Sequence, residues 1–266
     1  MRLLLTLELT GLQRLPLNYN YPLSSAIYKL LKFGSPEFAD FLHNTGYKLN
    51  GKRYKLFSFA LKPGEIKFGN NCINLSSRII KLYVTSPLVD NFIHNFVIGS
   101  FNNRIIQISD SSVKSSLLIK QVETISEPVF TNKASFRLVS PMVLSTIRKN
   151  ENGSFQYYFR YSDDIKEINR VFTQNLKNKY ELIYSNVYNG PGIELNWDKK
   201  YIAKKKAENK RLTKKISVVK KGELPVEIIG IEVPFILTGD ADLMKVGYEC
   251  GFGEKNSMGF GLTVVS

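Results

Sequence analysis

Three observations predict an α+β protein built from two successive domains. The chain has 266 residues, enough for two modest domains with cores of their own at about 100 to 200 residues each. Apolar residues make up 43% of it, among them 17 Phe and 14 Tyr, which excludes a disordered polymer. Strand-like alternation and helical spacing also run twice through one series of elements, with a break near Glu127-Pro128. That series, β-α-β-β-α-β, is the ferredoxin-like (RRM-like) arrangement, and it divides the chain into 1–126 and 127–266.

Taken in order, Arg2 to Leu9 is apolar and strand-like, and the turn-rich PLNYNYP follows it. A helix fits Leu23 to Phe33, with Ser24 or Ser25 near its start and Ile27, Leu30 and Leu31 at helical spacing. A short second helix fits Pro36 to Leu42, because Ser35 is a good cap, proline suits the first turn and Glu37 favours the positive end of the helix dipole. Tyr54 to Leu61 and Ser76 to Val84 read as strands. After Pro87, the spacing of Val89, Phe92, Ile93, Phe96 and Val97 marks an amphipathic helix. Arg104 to Ile108 and Leu117 to Ile125 close the first unit as strands. The second unit opens with a strand from Phe136 to Val143 and a helix from Asp163 to Tyr184, with Ile168, Val171, Phe172 and Leu176 on one face. Gly192 to Trp197, Lys214 to Val219, Val226 to Leu237 and Leu262 to Val265 are β-rich, and Asp240 to Val246 fits the unit's short second helix.

Several function classes fall away. The longest apolar run, Ile228 to Leu237, is interrupted by Glu232 and Pro234 and is far short of the roughly 20 residues of a membrane span. The opening MRLLLTLEL is cut by Glu8 and lacks a small-residue cleavage site, so it reads as a strand and not a leader. Cys72 and Cys250 stand alone, without CxxC spacing or companion histidines, so neither a zinc site nor a disulfide framework is expected and a reducing cytoplasm fits. No Walker loop is present. The terminal GFGEKNSMGFG fails as a dinucleotide fingerprint, because Asn256 stands where the third glycine should and a strand follows instead of a helix. No cofactor is expected.

The net charge of +14 is concentrated. From Lys199 to Lys221 the chain carries eleven Lys or Arg against the single acid Glu208, which is the footprint a phosphate backbone attracts through release of condensed counterions. Within it Lys204, Lys205, Lys206, Lys210, Arg211, Lys214 and Lys215 are the compositional candidates for RNA contact. In the tail, Gly251, Gly253, Gly259 and Gly261 bracket Lys255, Asn256 and Ser257. Glycines let a backbone approach an anion closely, and turns of this kind offer amides as a phosphate nest; a tight hairpin whose glycines serve geometry alone is the competing reading.

Asp242 to Gly261, DLMKVGYECGFGEKNSMGFG, closely resembles the C-terminal signature of the CRISPR-associated repeat-RNA endoribonucleases, the Cas-six family that processes pre-crRNA. Tyr28, LHNTGY from Leu42 to Tyr47 and KLFSF from Lys55 to Phe59 resemble the N-terminal catalytic region of that family. The resemblance implies two ferredoxin-like domains and metal-independent cleavage of a CRISPR repeat by 2'-hydroxyl attack, leaving a 2',3'-cyclic phosphate and a 5'-hydroxyl. It also implies RNA contacts along Gly251 to Gly261, with His43, Tyr28 and Lys55 catalytic and Lys52 or Lys48 as alternative cations. Which of His43 and Tyr28 serves as base and which as acid is left open. Partners implied are repeat RNA, subunits of a CRISPR effector complex and a second copy in a homodimer, with no membrane. Of the two histidines, His94 lies off the apolar stripe of its helix and reads as a surface residue. The competing readings are a repeat-RNA-holding subunit without cleavage and an unrelated RRM-like module, although no string fits the RNP1 pattern.

Overall fold

A computed structural model describes residues 1–151, 153–218 and 224–266. In the first half, β1 (Arg2–Leu9) leads to α1 (Asn20–Gly34) and the short α2 (Pro36–Asp40), followed by β2 (Ser58–Lys62), β3 (Ile79–Thr85), α3 (His94–Asn102), β4 (Ile105–Ser109) and β5 (Lys114–Ile125). The strands form one antiparallel sheet in the order β2-β3-β1-β5-β4. Removing the edge strand β4 leaves the ferredoxin-like order. Leu3, Leu5, Leu7 and Leu9 alternate into one buried face, and Leu5 stands between Leu82 and Val122. Ile27, Leu30 and Leu31 of α1, together with Phe92 and Phe96, cover that face. Helices α1 and α3 cross closely because Gly99 has no side chain: a Cβ there would collide with the carbonyl oxygen of Leu30.

The second half repeats the plan. β6 (Lys133–Leu138) precedes a hairpin of β7 (Ser145–Asn150) and β8 (Gly153–Tyr158), then α4 (Ile165–Tyr184) and β9 (Ile193–Trp197). An insertion of α5 (Lys199–Ala207) and the hairpin β10 (Thr213–Val218) and β11 (Val226–Ile231) separates these from β12 (Phe235–Gly239), α6 (Ala241–Cys250) and β13 (Thr263–Val265). The sheet order is β9-β12-β6-β13, again antiparallel throughout. The α+β class and the tandem ferredoxin-like units therefore stand.

Several element expectations need correction. Ser24 and Ser25 do not cap α1, which begins earlier at Asn20; Ser24 instead donates its hydroxyl to the carbonyl of Ser257 at 2.7 Å. Ser35 does cap α2, accepting from the amide of Phe38, but α2 ends at Asp40 and a π turn, Phe41–Thr45, follows. The strand expected from Tyr54 starts only at Ser58, because Leu56 lies in the left-handed region at φ 53. The strand expected over Phe136 to Val143 stops at Leu138. Pro141 interrupts it, and Met142 and Val143 make isolated bridges to Ile231 and Glu254. The run Val226 to Leu237 is two strands of different sheets, divided at Glu232 to Pro234. The basic run contains a helix, α5, that the sequence pattern does not announce; its Val219, Lys220 and Lys221 lie outside the described residues. Among the described residues no helix is long and apolar enough to cross a membrane.

The halves are tied across their boundary. Arg2 is buried and donates to the carbonyls of Thr263 at 2.5 Å and Tyr248 at 2.7 Å, with its guanidinium 3.6 Å from the Tyr248 ring centre. Tyr54 and Leu56 of the first half are members of the second half's core.

Candidate active site

His43 owes its position to the π turn after α2. Leu42 is buried and anchors the turn, while the neighbouring His43, Asn44 and Thr45 are exposed. The His43 Nδ1 stands 3.0 Å from Asn44 Oδ1. Its ring meets that of Tyr28, on α1, edge to face with centres 5.1 Å apart and planes at 89°. Tyr28 in turn packs edge-on against Phe57 at 5.7 Å. Burial pushes the Tyr28 phenol up to about 12, and the Ser257 side chain pulls the other way. The phenol is therefore protonated throughout the neutral range.

Lys55 is partly buried directly behind this pair. Its ammonium donates to the carbonyls of Leu42 and, at 2.8 Å, His43. It thus holds the last turn that carries the imidazole, and two of its three N–H groups are committed to the backbone. Burial lowers its pKa, with Arg53 adding to the effect. Of the alternative cations, Lys52 is paired with Glu254 at 3.2 Å, and Lys48 is exposed on the hairpin of Tyr47–Leu49 and Lys52–Tyr54, opposite Arg53. His94, at the start of α3, is exposed and does not line the cleft between the halves.

Next to Lys55 a cleft of about 790 Å³ opens between the halves. Its walls carry Lys52, Arg53, Lys55, Arg170, Lys179 and Lys255 against one carboxylate, Glu254. His43 and Tyr28 do not line it; they adjoin it through Lys55 and Ser257, which do.

The glycine tail is built differently from a phosphate nest. Gly251, Gly253, Gly259 and Gly261 are buried, all with positive φ. The amides of Phe252, Glu254, Gly259 and Gly261 donate to carbonyls of Gly261, Val143, Asn256 and Pro141. A Cβ on Gly261 would collide with the Phe252 carbonyl oxygen. Asn256 is buried too, its Nδ2 donating to Phe252 and Phe260. The glycines and Asn256 are thus spent on the loop's own packing. What the loop leaves partly exposed is Glu254, Lys255, Ser257 and Met258.

The loop is locked by a residue that no sequence motif marks. Lys179 of α4 is buried, and its ammonium donates at 2.8 Å to each of Gly251 O, Gly253 O and Asn256 Oδ1. Burial draws its pKa down to about 8, so at neutral pH it keeps the third proton that three acceptors require. A weaker signal was present: Ile168, Val171, Phe172, Asn175, Leu176 and Lys179 form one helical stripe, and two of its members are polar. Arg170 lines the cleft with no motif around it, and Arg53, two residues before KLFSF, lines it too.

The basic run forms a separate surface. Lys204, Lys206, Lys210, Arg211, Lys214 and Lys215 are exposed or partly so, as is Lys205, yet none of them lines the cleft. Lys205 and Lys210 pair with Glu208 at 3.8 and 3.0 Å, and Lys215 with Glu227 at 2.6 Å.

Comparison with known proteins covers the whole chain. Residues 125–265 match the family model described as CRISPR associated protein Cas6, C-terminal, and residues 14–119 match CRISPR-associated protein Cas6, N-terminal. CRISPR-associated endoribonuclease Cas6 1 of Methanocaldococcus jannaschii is 29% identical over 276 residues, spanning 99% of this chain and 92% of that protein. CRISPR-associated endoribonuclease Cas6 of Pyrococcus furiosus is 26% identical, spanning 95% and 84%. A solved structure named CRISPR associated protein Cas6 superposes with a TM-score of 0.75 at 28% identity over 100% of this chain and 99% of that one.

Proposed function

The chain belongs to the Cas6 family of CRISPR-associated proteins, and from that premise we propose that it is an endoribonuclease that binds CRISPR repeat RNA and cuts pre-crRNA. The observation that carries the reading is the pair His43 and Tyr28, ring against ring at 5.1 Å, with Lys55 bracing the turn beneath and a cationic cleft alongside.

RNA cuts itself if its 2'-hydroxyl is held in line with the adjacent phosphorus, loses its proton, and the departing 5'-oxygen gains one. The O–P bond to the 2'-oxygen forms, the bond to the 5'-oxygen breaks, and the products are a 2',3'-cyclic phosphate and a 5'-hydroxyl. Imidazole suits proton transfer because its free pKa lies near 6.5. His43 moves the proton; Tyr28, protonated at this pH, donates a hydrogen bond to the phosphate or the leaving oxygen. Lys55 serves His43 first, and its remaining N–H faces the phosphate. The wall cations Arg53, Lys52 and Arg170, with Lys255 and Ser257 of the loop, hold RNA near the cut, and Lys204 to Lys215 hold it farther away. Lys48 is the alternative phosphate ligand.

The catalytic half is placed in residues 1–126 and the RNA-holding half in 127–266, a division supported by the separate sheets. Subunits of a CRISPR effector are the proposed protein partners. A cytoplasmic location is supported by the two free cysteines.

The test is an RNA carrying the protein's own CRISPR repeat, incubated in EDTA with wild type and with His43→Ala, alongside a substrate with 2'-deoxyribose at the cut. Cleavage by wild type alone, lost by about 10²- to 10⁴-fold in the variant and abolished by the deoxy sugar, is the expected result. Tight binding without cleavage would make the protein a repeat-holding subunit.

A further inference from the structure

We propose that the interdomain cleft takes one unstacked nucleobase of the bound RNA and that Asn175 reads its edge, which makes Asn175 a specificity-determining residue. The inference rests on the RNA-binding reading above.

Asn175 occupies a place in the α4 stripe where an apolar residue would pack without cost. It is 5% exposed and lines the cleft, and its Oδ1 is buried with no hydrogen-bond partner. A buried amide oxygen left unpaired carries a desolvation penalty that a leucine would not. The neighbouring amides, by contrast, are satisfied. Asn178 Oδ1 accepts from Gln174 at 2.8 Å and from Asn50 at 3.3 Å, and its Nδ2 donates to the Tyr54 hydroxyl at 2.8 Å. That network joins the two halves and fixes the polar floor, and it excludes Asn175.

Of the other buried polar atoms without partners among the described residues, Arg2 Nε, Trp197 Nε1 and Thr263 Oγ1, none belongs to a residue lining the cleft. Asn175 is therefore the one of these residues that lines ligand-sized space, its covered Oδ1 reaching a ligand by a turn of the amide, and 790 Å³ lies in the range of small-ligand sites. The walls bear cations such as Arg53 and Arg170 while the floor bears amides, which is the division a nucleotide requires: phosphate to charge, base edge to hydrogen bonds. An acceptor demands a donor. The matching groups are the exocyclic amines of adenine, cytosine and guanine and the ring N–H of guanine or uracil, all on edges that single-stranded RNA exposes. Because Lys55 both lines the cleft and holds His43, the base belongs to a nucleotide near the cut.

The experiment uses the full chain and an RNA carrying its own CRISPR repeat, with every base changed singly. Wild type is expected to discriminate by about tenfold or more at one position near the cut. Asn175→Ala and Asn175→Leu should lose that preference alone, keeping their preferences elsewhere and their affinity for unrelated RNA. At the same position, a base analogue lacking the donor should weaken wild type by about tenfold and leave the variants unaffected, the non-additivity expected of direct contact. The analogue series on wild type needs no variant, so it decides the matter even if the substitutions unfold the protein. An unchanged base profile in the variants, or a wild type indifferent to every analogue, overturns the inference while the nuclease reading stands on cleavage. A wild type that neither binds nor cuts the repeat overturns both.

Discussion

His43 stands on a π turn, and the contacts around it divide the work of the site. Tyr28 supplies a ring wall and a phenol whose pKa burial has raised to about 12. A raised phenol pKa means that the proton is retained as pH climbs and leaves only near 12, so Tyr28 does not titrate in the neutral range. Tyr28→Phe should accordingly lower single-turnover cleavage without changing the shape of the pH–rate profile through neutrality; a shifted limb would show that Tyr28 itself exchanges the proton. Lys55 acts through position, since its ammonium holds the carbonyls of Leu42 and His43. Lys55→Ala should cut the cleavage rate by about 10²-fold through misplacement of the imidazole, with repeat affinity changed far less, as read by single-turnover rates beside equilibrium binding. His43 and Tyr28 were singled out by the resemblance carried on Tyr28 and LHNTGY, since a lone histidine in a polar turn points to no chemistry by itself; what the fold adds is that the two rings meet. The bracing role of Lys55 was not legible, because it depends on carbonyls distant in sequence that only the folded turn brings to the amine.

At the scale of elements, the glycine loop is a clasp between the two halves. Ser58 of β2 donates to Phe260 O at 3.0 Å, Ser24 of α1 to Ser257 O, and Asn20 to Met258 O at 3.0 Å. Lys179 binds the loop from the α4 side. Lys179→Met would strip a buried ammonium from three neutral acceptors, and a buried acceptor left without a donor costs about 1–3 kcal/mol. The expected outcome is a lower denaturation midpoint together with weaker repeat binding, because the loop that presents Lys255 and Ser257 loses its anchor. Gly261→Ala should destabilise by about 1–3 kcal/mol from the positive φ alone, measured by denaturant melts. The glycine spacing was readable in the sequence, but its purpose was not. Two G-F-G pairs look the same whether their amides meet a phosphate or meet Val143 and Pro141, and only the tertiary partners decide between them.

For the whole molecule, the repeated βαββαβ order was legible because both units keep the alternation and stripes that cores impose. The failures fall where a local rule competed with composition. Pro234 split what looked like one apolar strand, and α5 escaped because Lys199–Ala207 has no apolar stripe of its own; it is capped by Asp198 and rests only Tyr201 and Ile202 on the Leu212, Ile231 and Val233 cluster. The consequence is a division of charge. The cleft cations stand at the junction of the halves, whereas the α5 and β10 cations stand on an insertion apart from it. Charges remote from the cut should supply affinity through counterion release without setting register. Substituting Lys204, Lys206, Arg211 or Lys214 by Ala should weaken repeat binding and reduce the slope of log affinity against log salt by about 0.7 to 0.9 for each phosphate that is no longer neutralised. Lys205, Lys210 and Lys215 should give smaller changes, because Glu208 and Glu227 already neutralise part of their charge. Product ends mapped by sequencing should stay in place through the whole series. If one of these substitutions moves the cut, the insertion sets register as well as affinity, and the site must extend across both surfaces.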